Sequence, residues 1–254
     1  MRTGGGRGTL AGMVTGSLIG ALWTVIVLGG VPVQSLSTRR TLELYRPGRL
    51  YLYASTTVAL AILGVVTLFV DRAGTRPGLT VLFAWRPWPV LLGWAVATLA
   101  ACLVLSLGFL LWQKARRQRA DATLVSVLPR TPFEHNVFVA VSLVAGLVEE
   151  YVYRGFCLTF LVRSTGSLWL AVTLVTIGFG LAHVYQGRMA VLRTAALGGV
   201  LAVPVVLTGA LLPAVLAHAA YDIIAGFAMR PLLRRWDLIE YGEWIEPEGE
   251  EDDR

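Results

Sequence analysis

Six ionisable side chains fall well inside long apolar stretches of this 254-residue chain: Glu149, Glu150, Arg154, His183, His218 and Asp222. At mid-bilayer each such group costs at least about 2.5–3.5 kcal/mol on insertion scales, so a set of six has to be offset by what it does. Their types suit hydrolysis: carboxylates that take a proton from water, and imidazoles that pass one on. Glu150 and Arg154 are four residues apart and share a helix face, where they can pair. Glu149 is turned from Glu150 by about 100° and points away from Arg154. This division predicts an internal Glu150–Arg154 pair and a second carboxylate facing a cavity. Phe179 and His183 share a face by the same spacing, as do His218 and Asp222. Gly155, Gly178 and Gly180 lie nearby, where small residues let membrane helices approach closely. The third histidine, His135, sits at a helix start and is assigned no role.

Each feature also has a plain structural reading. A Glu–Arg pair can simply hold a helix, a histidine near a helix end can be interfacial, and His218 with Asp222 can lock two helices together. Glu-Glu, then His, then His-x-x-x-Asp on three helices argues for a site. Two histidines with one or two carboxylates could also bind a divalent metal such as Zn²⁺. The candidate ligands are Glu149, His183, His218 and Asp222, although no local H-E-x-x-H pair accompanies them. Cys102 and Cys157 lie in apolar blocks without a CxxC or Cys/His partner and read as small packing residues.

The elements that must position these groups are membrane helices. Hydrophobic residues make up 56% of the chain and charged residues 15%, against about a quarter charged in soluble domains. Mean hydropathy is +0.66. The apolar residues come in long blocks, which predicts an all-α, polytopic transmembrane helical bundle. Seven spans are expected: Leu10–Val33, Leu50–Val70, Pro89–Trp112, Asn136–Val162, Leu168–Val184, Met189–Leu207 and Ala210–Met229. Thr131-Pro132-Phe133-Glu134 is a capping box with proline at the first helical position, and it starts the fourth helix. Three regions follow: an N-terminal three-helix membrane region (1–130), a four-helix core (131–235) and an acidic tail (236–254), read as solvated and disordered from Glu240.

From Asp237 onward nine acids face a single Arg254, leaving 21 basic residues and seven acids in the body, a net of +14. Those basic residues lie between apolar blocks, so lipid headgroups are the expected partner and nucleic acid is not. Fourteen loop cations fall on one side and six on the other. The positive-inside rule then predicts the C-terminus in the cytoplasm and the N-terminus outside, and the cell (plasma) membrane is the expected location. Trp85, Trp88, Trp94, Trp112, Trp169 and Trp236 fall mainly near span ends, as interfacial anchors do.

In order along the chain, Glu149–Arg154 (EExxxR), Phe179–His183 (FxxxH) and His218–Asp222 (HxxxD) resemble the motifs of the CPBP family of intramembrane proteases. That family includes CAAX-processing endopeptidases of the Ras-converting type and bacterial Abi proteins of bacteriocin processing or immunity. The resemblance covers roughly Thr131 to Met229. It implies Glu149 as the base that activates water, and His183 as support for that water or as a metal ligand. It implies His218 and position 222 as the oxyanion pocket, with Glu150 and Arg154 as the structural pair. Relatives usually have Asn where this chain has Asp222. An ionised Asp there would repel an oxyanion, so it must be protonated, orient His218 or ligate a metal. The implied reaction is endoproteolysis of a membrane-associated protein or peptide, either metal-dependent or working through glutamate alone.

Two other classes fit intramembrane Glu, His and Asp. A proton-coupled transporter would use them as a relay, but neither an inverted repeat nor paired broken helices is visible. A non-catalytic scaffold or immunity-like protein would keep the fold and tolerate loss of Glu149.

Overall fold

The computed structural model describes residues 6–74 and 77–239, with side chains described from Gly16. Among these residues every regular element is helical. The acidic tail expected from Glu240, together with Arg2 and Arg76, lies outside the described residues. Helix α1 (Gly6–Val25) passes through a π-helical stretch (Ile26–Gly30) into α2 (Val31–Tyr45). After α3 (Arg49–Ala73), the short α4 (Pro77–Leu82) and α5 (Trp88–Ala115), α6 (Ala122–Val127) leads to the core. There α7 (Pro132–Glu150) continues through a second π-helical stretch (Tyr151–Leu158) into α8 (Thr159–Thr165). Helices α9 (Leu168–Leu181), α10 (Arg188–Thr208) and α11 (Leu212–Arg235) complete it.

Local chemistry sets the joints. The Thr131 hydroxyl accepts from the Glu134 amide at 3.1 Å, and the Glu134 carboxylate accepts from the Thr131 amide at 3.2 Å, closing the expected capping box. Gly166, at φ 68°, ends α8, and the Ser167 hydroxyl caps α9 by accepting from the Leu170 amide. Gly209, at φ 67°, ends α10, so the break expected at Thr208–Gly209 is where it falls. A left-handed residue without a Cβ is the usual device for such an end.

Among the described residues six segments are long and apolar enough to cross a membrane: Gly16–Tyr45, Arg49–Ala73, Trp88–Ala115, Pro132–Thr165, Arg188–Thr208 and Leu212–Arg235. Their outer faces carry exposed Leu22, Val58, Ile62, Val96 and Val104. Helices apolar on both faces are stable where lipid is the solvent, and the chain is an integral membrane protein. The expected fifth span is shortened as a helix: it ends at Leu181 and has 14 residues, about 21 Å of rise against a hydrocarbon core of about 30 Å. The turn that follows carries the chain on to α2 and α6, where the Val184 and Tyr185 carbonyls accept from Arg39 and Thr123. The first span is corrected too, because its helix continues past Val33 to Tyr45. Arg39 and Arg40, expected in a loop, are therefore helical. Arg39 is held there by Glu43 at 2.8 Å and Asp121 at 3.0 Å.

Helix α11 packs against α7 and α5, and α9 packs against α10. One close approach brings two site-bearing helices together. A Cβ on Gly146 of α7 would stand 2.8 Å from the Ala219 Cβ and 2.9 Å from its backbone nitrogen in α11. Gly180 likewise lets α9 close on α10, at Val191 and Ala195. Backbone cannot give way as a side-chain tip can. Gly146→Ala is therefore expected to cost about 1–3 kcal/mol, read as a lowered Tm in nanodiscs. Adding Ala219→Gly should recover part of the loss, and an unchanged Tm would refute the contact.

Candidate active site

Glu149 and Glu150 close α7, where the helix widens into the π-helical stretch. Such stretches are rare and concentrate at functional sites. The widened turn is anchored from outside by Asp71. This carboxylate is fully buried at the end of α3 and accepts from the Gly78 and Leu79 amides at 3.1 and 2.8 Å and from the Tyr151 hydroxyl at 2.8 Å. It caps α4 and fixes the residue that follows the glutamates.

The two glutamates diverge as their spacing predicts. Glu150 is fully buried, and its Oε1 accepts from Arg154 Nη1 at 2.9 Å. Arg154 Nη2 donates to the Gly198 carbonyl of α10 at 3.0 Å, and its guanidinium lies 4.1 Å from the Phe179 ring centre. Glu149 instead faces a cavity of about 780 Å³, bordered by His183, His218, Asp222, Tyr153 and Phe179.

The histidines converge on Glu149 from two other helices. His183 Nε2 and His218 Nε2 each stand 4.0 Å from Glu149 Oε2. That is too long for a direct hydrogen bond and is a separation that one water can bridge. Partners settle which nitrogens donate. His183 Nδ1 lies 2.9 Å from the Phe179 carbonyl, which can only accept, so Nδ1 carries the proton and Nε2 is left for the cavity. His218 Nδ1 lies 2.8 Å from Glu150 Oε1, a carboxylate oxygen already held by Arg154, so Nδ1 donates there too. Phe179 sits among these groups, 4.9 Å from His183 and 6.0 Å from His218 between ring centres.

All seven residues singled out by sequence are thus brought together, with one change in pairing. The spacing offered His218 and Asp222 as one possible pair, and His218 makes its short bond to Glu150 across helices. Asp222 Oδ2 stands 3.5 Å from His218 Nε2 and is a third exposed. Glu150 is therefore more than a partner for Arg154, since it also sets the orientation of His218.

Glu149, His183, His218 and Asp222 were also the candidate metal ligands. Among the described residues no three His, Cys, Asp or Glu side chains meet as metal ligands do. The chemistry is followed through the chain's own groups.

Sequence reasoning missed four contributors. Tyr153 is four residues beyond Glu149, a spacing that places it on the same face. Its hydroxyl is buried at the cavity wall with no partner. Tyr185 borders the same cavity and its hydroxyl accepts from Gln186 at 2.8 Å. Burial pushes the Tyr185 phenol up to about 12, so at neutral pH it is an uncharged donor. Arg193, expected among the loop cations, is instead buried on α10 at the cavity wall. Asp71 was hidden by its position at a span end.

Residues 132–224 match the family model described as type II CAAX prenyl endopeptidase Rce1-like. All three motifs lie inside the match. No curated protein and no solved structure matches the chain.

Proposed function

We propose, from the premise that residues 132–224 belong to the Rce1-like type II CAAX prenyl endopeptidase family, that this chain is an intramembrane endopeptidase driven by water activated at Glu149. The observation that carries the reading is the placing of Glu149 at the cavity wall, 4.0 Å from two imidazole nitrogens, while Glu150 is turned away to Arg154.

In the proposed reaction a water held between Glu149 and His183 Nε2 gives a proton to Glu149. Its oxygen attacks the carbonyl carbon of a membrane-associated protein or peptide. The carbonyl electron pair moves onto oxygen, where His218, protonated on both ring nitrogens between Glu150 and Asp222, donates to it through Nε2. Glu149 then returns the proton to the amide nitrogen as the C–N bond breaks, leaving an amine and a carboxylic acid. Glu150 keeps His218 aimed through Nδ1, and Asp222, 3.5 Å from Nε2, holds the ring until substrate arrives. Donors fixed in a dry cavity stabilise such an oxyanion more than water does.

The Tyr153 hydroxyl, unpaired and on the Glu149 face, is assigned to the water or the oxyanion. Tyr153→Phe is expected to lower kcat by a factor on the order of 100. Its Tm should hold or rise, because an unsatisfied buried hydroxyl is removed. Unchanged kcat would refute the assignment.

The test of the whole reading is cleavage of a pool of membrane-anchored reporter peptides by the purified chain, beside Glu149→Gln and Glu150→Gln, with and without a chelator. Cutting by wild type and not by Glu149→Gln supports the base. Loss of cutting with chelator would bring a metal back into the mechanism. A function that survives Glu149→Gln would favour the scaffold reading. The cell membrane and a cytoplasmic C-terminus remain our assignment from loop charge, and a C-terminal tag protected from protease in inverted vesicles' lumen, rather than cut, would overturn it.

A further inference from the structure

Arg193 is a cation with nothing to do in the chemistry above. It lies 9% exposed on α10 and borders the cavity together with Thr194, Leu197 and Leu201. Its Nε has no hydrogen-bond partner, and among the described residues no hydrogen bond or ion pair reaches its guanidinium. The contrast with Arg154 is direct, because that guanidinium is bonded to Glu150 and to Gly198 and stacked on Phe179. A guanidinium cannot shed its proton, and its planar fork of five donors matches a carboxylate. Buried polar groups in proteins are almost always bonded. The three carboxylates at the cavity do not serve it: Glu150 is bonded to Arg154 and His218, while Glu149 and Asp222 stand against the histidines.

Residues 193, 197 and 201 share one face of α10, and all three line the cavity that Glu149, His183 and His218 border.

Resting on the endopeptidase reading, we infer that Arg193 forms a carboxylate subsite: it binds an anionic group of the substrate at the α10 wall of the cavity. The carboxylate has two possible sources, a free peptide C-terminus or an Asp or Glu side chain, and one experiment separates them. Full-length Glu149→Gln protein in nanodiscs is incubated with a synthetic pool of lipid-anchored peptides. Each peptide is present as C-terminal acid and amide, and with Asp or Asn inside. Retained peptides are quantified by mass spectrometry.

The expected result is retention of a carboxylate form over its neutral partner by about tenfold or more. Enrichment of acid over amide assigns the terminal carboxylate, and enrichment of Asp over Asn assigns the side chain. The preference should vanish in Glu149→Gln/Arg193→Gln and survive in part in Glu149→Gln/Arg193→Lys, with Tm reporting that both variants are folded. Equal retention of charged and neutral forms, none of either included, overturns the subsite, as does a preference that Arg193→Gln leaves intact. Cleavage of the same pool by wild type is read separately. Peptides held with a carboxylate preference but never cut would sink the endopeptidase reading and leave the subsite. Peptides cut without preference would do the reverse.

Discussion

Glu149→Gln is expected to lower kcat/KM for any cleaved reporter by about 10²–10⁴-fold, the range a positioned general base contributes, with little change in Tm. The amide keeps the shape of the carboxylate but cannot take a proton from water. Stability should hardly move, because Glu149 makes no short bond in the protein; its nearest ring nitrogens are 4.0 Å away. The neighbouring variant is the control. Glu150→Gln weakens the bonds to Arg154 Nη1 and His218 Nδ1 at once, so it should lose activity and Tm together. Two adjacent glutamates are thereby separated by one pair of measurements. Cleavage by Glu149→Gln at the wild-type rate would remove Glu149 as the base. A fall in Tm as large as that of Glu150→Gln would mean that Glu149 is a structural carboxylate after all.

That separation was legible in the sequence because it is local. Helical spacing alone puts Arg154 on the Glu150 face and turns Glu149 aside, and Thr131 and Glu134 announce where their helix begins. The cross-helix bond from His218 to Glu150 was not legible, since 68 residues separate the partners and His218 had a nearer candidate in Asp222. Asp71 was missed for a similar reason. It looks like a span-end acid, and only the fold brings Tyr151 and the start of α4 to it. Arg193 followed the loop-charge rule by its distance from the span centre, yet α10 carries it into the cavity wall. The first helix outran its apolar stretch because Arg39 finds Glu43 and Asp121, so charge that reads as loop is paired within a helix. The fifth helix stops before its expected end because the chain turns at His183, whose ring faces Glu149.

Arg154→Met should be the most destabilising single change at the site, by about 3–5 kcal/mol, as expected when one partner of a buried ion pair is removed. The loss comes from what stays behind. Glu150 is fully buried, its Oε2 already lacks a partner, and only His218 would remain on Oε1. The same change frees the Gly198 carbonyl and the face of Phe179, loosening α10 and α9 where they meet the motif helix. Arg154→Lys keeps the charge but not the fork that reaches Glu150 and Gly198 together, so it should restore only part of the stability. Glu150→Gln/Arg154→Met removes both charges and should lose clearly less than the sum of the two single changes, since residues in one network are coupled. Activity will not follow stability in that double variant. Without the Glu150 carboxylate, His218 loses the bond that aims it, and cleavage should stay low even where the protein is folded. Unfolding in bicelles gives the stabilities and the reporter pool gives the activity. A double variant as active as wild type would mean that His218 needs no aiming by Glu150, and an Arg154→Met variant as stable as wild type would mean that the buried pair carries no structural weight.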